Sequence, residues 1–141
     1  MHFLVKASKW VLVLACVTAC GASTPPAPSA MTAKISSSIH RVVQRMRADG
    51  VTAANVASRD VSSYANPLVR VDATGRIHTA VWVTQLQDHM LVELRRFQMH
   101  IERTDARQGV VQGWVPFHYI EDVAALSFVE HVRPPRYARG R

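Results

Sequence analysis

Cysteine is scarce in this sequence: its 141 residues include only Cys16 and Cys20, both near the start. If Cys20 becomes the first residue of the processed chain, as argued below, no second thiol remains for a disulfide, a nucleophile or a cysteine-based metal site. The sequence also lacks an apolar run of about 20 residues, the length that a mature membrane-spanning helix needs. Its length allows one domain of ordinary size and excludes a large catalytic domain.

Sequence motifs for catalysis and metal binding are missing as well. The chain has no Gly-x-Ser-x-Gly turn, no glycine-rich phosphate loop and no His-x-x-x-His pair. His78, His89 and His100 are eleven residues apart, but they fall on a predicted strand, helix and strand, so the spacing does not bring them to one face. We therefore predict a non-enzyme with no metal, no cofactor and no small-molecule substrate.

The positive charge is confined to the two ends of the chain. There are 17 basic against 10 acidic residues in the whole sequence, but residues 20–132 carry 11 basic and 10 acidic side chains. The excess comes from Lys6, Lys9, Arg133, Arg136, Arg139 and Arg141. With no basic face, and without the repeated sheet aromatics that RNA-binding domains use, the sequence predicts no nucleic-acid partner.

The first residues have the pattern of an export signal. Two lysines precede the apolar stretch 11–17, which is followed by small residues. The sequence Val17-Thr18-Ala19-Cys20 resembles a bacterial lipobox, which implies acylation of Cys20. Cys16 fits less well because the bulky Leu14 lies two positions before it. An ordinary cleaved signal and a cytosolic protein with an apolar start are the alternatives.

These features divide the N-terminal part of the chain into three. We predict a lipoprotein signal peptide over 1–19 and a lipid anchor with a Pro/Ser/Ala-rich tether over 20–33, followed by an amphipathic helix and loop over 34–67. The helix is indicated by apolar residues at helical spacing, Ile35, Ile39, Val42, Val43 and Met46, and by the stop signal Asp49-Gly50. The protein is thus expected to be exported and held to the bacterial envelope through Cys20, in the outer membrane if the host has one.

Residues 68–133 carry the strongest periodic patterns. Alternation predicts strands at 77–83, 100–104, 110–115 and 128–132. An apolar stripe over 86–97 predicts a helix, opened by a capping box of Thr84 and Gln87, and a second helix follows Pro116. The order β-α-β-β-α-β predicts an α+β ferredoxin-like sandwich: one antiparallel sheet with two helices on one face, preceded by the short N-terminal helix.

Alternation leaves the position of Trp114 open. Val110, Gln112 and Trp114 face opposite to Val111, Gly113 and Val115, and both sets contain apolar side chains. We favour burial of Trp114 in the core. On the uncovered face of the sheet it would instead be a candidate interface residue.

Residues 69–137 resemble the domain that precedes many bacterial secreted subtilisin-like serine proteases. The matching segments are Val71-Asp72-Ala73-Thr74-Gly75-Arg76-Ile77, Gly109-Val110-Val111-Gln112-Gly113-Trp114-Val115-Pro116, Val123-Ala124-Ala125-Leu126 and Val129-Glu130-His131-Val132-Arg133-Pro134-Pro135-Arg136-Tyr137. That domain is similar to the protease propeptide and proteinase-inhibitor fold, whose open sheet face packs against the protease. In the family a catalytic domain follows the Pro-Pro segment, whereas this chain stops at Arg141. The resemblance implies a propeptide-like module separate from its enzyme.

The resemblance also gives the basic tail over 134–141 a role. In propeptide-like inhibitors the segment after the last strand lies extended in the substrate cleft, and Pro134-Pro135 would stiffen it. The candidate partner-binding residues are Trp114, Arg133, Pro134, Pro135, Arg136, Tyr137, Arg139 and Arg141. Contact with an anionic surface and a terminus without fixed partners are the alternatives, and we favour the latter.

The expected function is therefore a lipid-anchored, non-catalytic binding module that inhibits or chaperones a subtilisin-like serine protease. The alternatives are an envelope lipoprotein that makes structural or surface interactions without a protease partner, and a truncated fragment of a protease precursor.

Overall fold

The computed structural model describes residues 30–137, with no side-chain description for Ala30. The helices and strands are α1 (Ala30–Lys34), α2 (Ser37–Ala48), β1 (Arg76–Val83), α3 (Asp88–Arg96), β2 (His100–Asp105), β3 (Val110–Pro116), α4 (Ile120–Ala125) and β4 (Val129–Arg133). Short 3-10 turns lie at Val56–Ser58, Ser62–Tyr64 and Phe117–Tyr119. In the described part of the chain, no helix has the length and apolar character needed to cross a membrane.

The four strands form one antiparallel sheet in the order β2-β3-β1-β4. The helices pack against one side of it, and their apolar residues share a single hydrophobic cluster with the strands. The predicted α+β class is confirmed, as is an antiparallel sheet with helices packed against it. The central pair β1 and β3 is aligned so that His78 lies opposite Trp114, and Ala80 opposite Gln112.

The predicted alternation of β1 is confirmed. Ile77, Thr79, Val81 and Val83 are buried on the helix side. On β3, Val111 and Val115 are fully buried on the same side, because they lie opposite Val81 and Ile77. Residues directly opposite each other in an antiparallel pair project to the same face, so Trp114 shares the other face with His78. The expectation that Trp114 belongs to the core is therefore wrong: its side chain is half-buried on the opposite face.

Helix α2 belongs to the same core as the sheet. Ser36 caps its first turn by accepting a hydrogen bond from the Ile39 amide, and Gly50 follows its end with φ of 72°. The helix buries Ile39, Val42, Val43 and Met46, as its spacing predicted. The ranges 34–67 and 68–133 thus contribute to one hydrophobic cluster, which Val51 and Val61 of the intervening loop join.

Helix α3 begins later than its sequence predicted. Gln87 is its N-cap and makes no side-chain capping bond, so the capping box of Thr84 and Gln87 is wrong. The amide of Thr84 instead donates to the Phe128 carbonyl oxygen at 3.2 Å. Thr84 is therefore still tied to the end of the sheet, and the helix starts only at Asp88.

Candidate functional site

The sheet surface opposite the helices, called the open face below, carries alternate side chains of β1 and β3. These are His78, Ala80, Trp82, Val110, Gln112 and Trp114. The imidazole of His78 stacks on the indole of Trp114, with ring centroids 4.6 Å apart and planes 14° from parallel. His78 is only 6% exposed although none of the described helices lies over it, because the rings of Trp114 and Tyr137 pack against it.

Both ring nitrogens of His78 have partners. Nε2 lies 2.9 Å from Oε2 of Glu102, and Nδ1 lies 3.0 Å from the hydroxyl oxygen of Tyr137. A carboxylate only accepts hydrogen bonds, so Nε2 carries the proton that points to Glu102. In the tautomer with its proton on Nε2, Nδ1 accepts the hydroxyl hydrogen of Tyr137. The Gln112 amide nitrogen approaches Nε2 at 3.3 Å.

Glu102 joins the stacked pair from β2. Its Oε1 accepts a 2.7 Å hydrogen bond from Nε1 of Trp114, while Oε2 faces His78. The hydrogen bond from Trp114 and the interaction with His78 hold the pKa of Glu102 below its usual value, although burial opposes them. Glu102 is still 40% exposed, so solvent weakens this pairing.

The position of Glu102 depends on a bulge in β2. Ile101 pairs with Gly113 and Arg103 with Gln112, which leaves Glu102 as the extra residue. A Cβ on Gly113 would collide with the His100 carbonyl oxygen, so glycine allows the close approach of β2 at this point. Bulges of this kind re-aim a side chain. Here the bulge turns the Glu102 carboxylate towards His78 and Trp114.

Residues Pro134–Tyr137, called the C-terminal segment below, pack against the domain. Pro135 is buried, and Tyr137 is half-buried with its hydroxyl on His78. The Arg70 guanidinium lies 4.0 Å from the centre of the Tyr137 ring, a cation–π contact. Burial raises the pKa of Tyr137, and the charge of Arg70 partly opposes this. The expectation that the tail has no fixed partners is therefore wrong for residues 134–137.

The remaining part of the open face is aromatic and basic. Arg133 of β4 lies with its guanidinium 5.8 Å from the centre of the Trp82 ring. Trp82 and Trp114 are both half-buried, so each keeps part of its surface in contact with solvent. The structure thus places Trp114 and Arg133 on the open face and Tyr137 against His78 at its border, while Pro134 and Pro135 line a hollow with Ser38 and Leu68. Arg136 is exposed, while Cys20, Arg139 and Arg141 lie outside the described residues.

Sequence reasoning missed His78, Glu102 and Arg70 as parts of this site. The alternation of β1 placed His78 on a face with Trp82, but it did not reveal Trp114 and Tyr137 as its partners. The isolated glycine in β3 was the available signal for the bulge that aims Glu102.

Chemically, the arrangement is a hydrogen-bonded surface. Glu102, His78 and Tyr137 form one chain of hydrogen bonds, flanked by the Trp114 indole. No group of three or more His, Cys, Asp or Glu side chains that could hold a metal ion occurs among residues 30–137. The half-exposed tryptophans, with Arg133 beside Trp82, are suited to contact with another protein.

Comparison of the chain with models of protein families gave no match, and searches of curated proteins and of solved structures gave none either.

Proposed function

We propose that this protein is an exported, lipid-anchored binding module without catalysis of its own, which docks a subtilisin-like serine protease through the open face. The observation that carries the proposal is the half-exposed pair Trp82 and Trp114 on the sheet face opposite the helices. Tryptophan held rigidly on such a face is the residue type that most often dominates binding energy at protein interfaces.

The arrangement of the elements supports a ferredoxin-like fold, the finer assignment within the α+β class. From β1 onward the elements follow the order β-α-β-β-α-β, and the sheet order is β2-β3-β1-β4. Two crossover units joined by a hairpin give this arrangement in the ferredoxin-like fold. The propeptide domain that the sequence resembles has the same fold and uses the same face.

The open face is prepared for binding before any partner arrives. Glu102 fixes the indole of Trp114 by a hydrogen bond, and His78 stacks on that indole. A side chain already held in one conformation loses little entropy on association, which favours tight binding. The proposed contact therefore centres on Trp114, with Trp82 and Arg133 beside it.

The contacts of the C-terminal segment limit the part of the tail that can be removed without disturbing the folded domain. Tyr137 is held by His78 and Arg70, so a chain that ends at Val132 would lose a part of the folded domain. A chain that ends at Tyr137 keeps these contacts and removes only residues 138–141. That truncation separates insertion of the basic tail into the protease cleft from docking by the open face.

The test is a titration of the protein into an assay of subtilisin-type proteases. The protein can begin at Gly21, because the buried apolar residues of the described part of the chain start at Ile35. We expect inhibition that weakens at least about tenfold in Trp114→Ala and in Trp82→Ala. Val92→Ala is the matched control, since Val92 is 51% exposed on α3.

Two further measurements are the inhibition by the truncated chain and the circular dichroism of each protein. Equal inhibition by the chain ending at Tyr137 would assign binding to the open face, and its loss would assign it to the tail. Absence of inhibition across several subtilisin-type proteases, with folded protein confirmed by circular dichroism, would overturn the protease partner. The alternative of an envelope lipoprotein with structural or surface interactions would then stand, and a protease reading frame directly downstream would favour a precursor fragment.

A further inference from the structure

Two hollows adjoin on the side of the domain where the C-terminal segment meets α2. The first, about 760 Å³, lies between the Pro67-Leu68 loop and Pro134–Tyr137. The second, about 570 Å³, lies between the same loop and the side of α2 that carries Arg41 and Arg45. Ser38, Pro67 and Leu68 line both, so the hollows form one continuous surface, called the arginine groove below.

Much of the lining of the arginine groove is apolar. Leu68, which lines both hollows, is 61% exposed and is the most exposed large hydrophobic side chain among the described residues. Prolines and tyrosines surround it: Pro67, Pro134, Pro135, Tyr64 and Tyr137. Grooves lined by aromatic side chains accept extended peptide segments, because the flat rings contact an extended backbone along its length.

The rim of the arginine groove is positive. Arg41, Arg45 and Arg136 line it, and no Asp or Glu does. Arg45 lies over the ring of Tyr64, with its guanidinium 5.8 Å from the ring centre. The side chains of Arg41 and Arg136 make no hydrogen bond or ion pair with any described residue. Guanidinium groups bind carboxylates through paired hydrogen bonds, so charge complementarity favours an acidic occupant.

One wall of the groove is fixed in advance. Tyr137 is held by the hydrogen bond to Nδ1 of His78 and by the Arg70 guanidinium over its ring. The buried Pro135 holds the same segment against the domain. A flat anionic surface would touch the protruding arginines but would leave the hollows empty, whereas an extended chain fills them.

We propose that the arginine groove binds an extended, acidic segment of a partner protein, with carboxylates on Arg41 and Arg136 and an apolar side chain on Leu68. This surface is lined by α2, the Pro67-Leu68 loop and the C-terminal segment, and it includes neither Trp82 nor Trp114. The inference is therefore independent of the protease partner proposed above, and either can fail alone.

The test uses the full chain carrying Cys20→Ser in neutral detergent, with fluorescein-labelled peptides as probes. One peptide repeats Asp-Leu-Gly, a second repeats Asn-Leu-Gly and a third repeats Lys-Leu-Gly. We expect the acidic peptide to bind at least about tenfold more tightly than the neutral one, and the basic peptide not to bind. Equal affinity for the acidic and neutral peptides would overturn the proposal.

Variants of exposed residues then locate the site. The double variant Arg41→Gln/Arg136→Gln should weaken binding of the acidic peptide about three- to tenfold, and Leu68→Ser should weaken it similarly. The matched control is Arg95→Gln/Arg107→Gln, which removes the same charge from residues that do not line the groove. An equal loss in both double variants would reduce the effect to net charge and contradict the proposal.

A further comparison tests whether anionic lipid, instead of an acidic peptide, binds to the arginine groove. In this comparison the protein begins at Gly21 and no detergent is present; vesicles of phosphatidylcholine with phosphatidylglycerol are compared with vesicles of phosphatidylcholine alone. Binding to the anionic vesicles that depends on Arg41 and Arg136, without binding of the acidic peptide, would overturn the proposal in favour of a membrane surface.

Discussion

His78 and Trp114 face each other across β1 and β3, and their rings stack with centroids 4.6 Å apart. Through its two ring nitrogens the same histidine reaches Glu102 of β2 and Tyr137 of the C-terminal segment. Tyr137 also lines the arginine groove. One buried side chain therefore connects the open face, the bulged edge strand and the wall of the groove.

Replacement of Tyr137 by Phe tests how firmly the C-terminal segment is attached. The variant keeps the ring over which Arg70 lies, but it leaves Nδ1 of the buried His78 without its 3.0 Å partner. We expect the free energy of unfolding to fall by about 1 kcal/mol, the usual net contribution of one hydrogen bond. Urea unfolding followed by tryptophan fluorescence measures the change.

Tyr119→Phe is the matched control for that measurement. The Tyr119 ring packs against Phe97 and His118, and its hydroxyl makes no hydrogen bond to a described residue. Its removal should leave the free energy of unfolding almost unchanged. If both Tyr→Phe variants lose the same free energy of unfolding, the hydrogen bond between Tyr137 and His78 does not stabilise the fold specifically.

Glu102→Gln tests the carboxylate that joins Trp114 and His78. The folded protein lowers the pKa of Glu102 from its ordinary value of 4.5, chiefly through the Trp114 hydrogen bond. A lowered pKa means that the ionised form stabilises the fold; this contribution is present above pH 4.5 and is lost as the pH falls through the folded-state pKa. We expect the variant to be less stable than the parent at neutral pH, with a difference that shrinks in acid.

The measurement is urea unfolding of both proteins over a series of pH values. Glu130→Gln is the control, because Glu130 is exposed on β4 and its side chain forms no hydrogen bond or ion pair with a described residue. Its stability should follow that of the parent at every pH. A Glu102→Gln difference that stays constant down to low pH would show that the carboxylate charge is not the stabilising element.

The alternation of β1 could be predicted from sequence because one set of its residues is almost wholly apolar. On β3 both alternate sets contain apolar side chains, so the sequence did not decide which set enters the core. The pairing between β1 and β3 determines which set is buried, because it puts Val111 and Val115 opposite Val81 and Ile77. Such a register depends on residues far apart in the chain, and burial of Trp114 was wrongly expected for that reason.

The candidate site was even less accessible from sequence. Glu102 reaches His78 only because a bulge adds one residue to β2 opposite Gly113. Tyr137 reaches it from 59 residues along the chain. The sequence did predict Tyr137 as a partner-binding residue, but the structure uses its hydroxyl within the domain.

The end of α3 contains the only non-glycine residue with positive φ in the described chain: Gln98, at 58°. Its amide donates to the Arg95 carbonyl and that of Met99 to the Leu94 carbonyl, which together form a Schellman motif. Glycine adopts this conformation without the steric cost of a Cβ. We expect Gln98→Gly to raise the free energy of unfolding by about 0.5–1 kcal/mol.

Gln98→Ala provides the comparison, because alanine retains the Cβ and its steric cost at the same φ. Thermal unfolding of the two variants and the parent should place only the glycine variant above the parent. A gain of equal size in Gln98→Ala would assign the effect to the lost Gln side chain instead of to the backbone conformation.

Membrane attachment through Cys20 is tested by a pair of serine variants. Cys20 follows Val17-Thr18-Ala19 in the order of a lipobox, whereas bulky Leu14 precedes Cys16 at the position where a lipobox has a small residue. Each CH2 of an acyl chain buried in the bilayer contributes about 0.8 kcal/mol, so loss of all the chains should abolish stable attachment. In a bacterial host, we expect the parent and Cys16→Ser to incorporate labelled palmitate and sediment with membranes. Cys20→Ser should incorporate none and appear in the soluble fraction, and its persistence in the membrane fraction would contradict lipidation at Cys20.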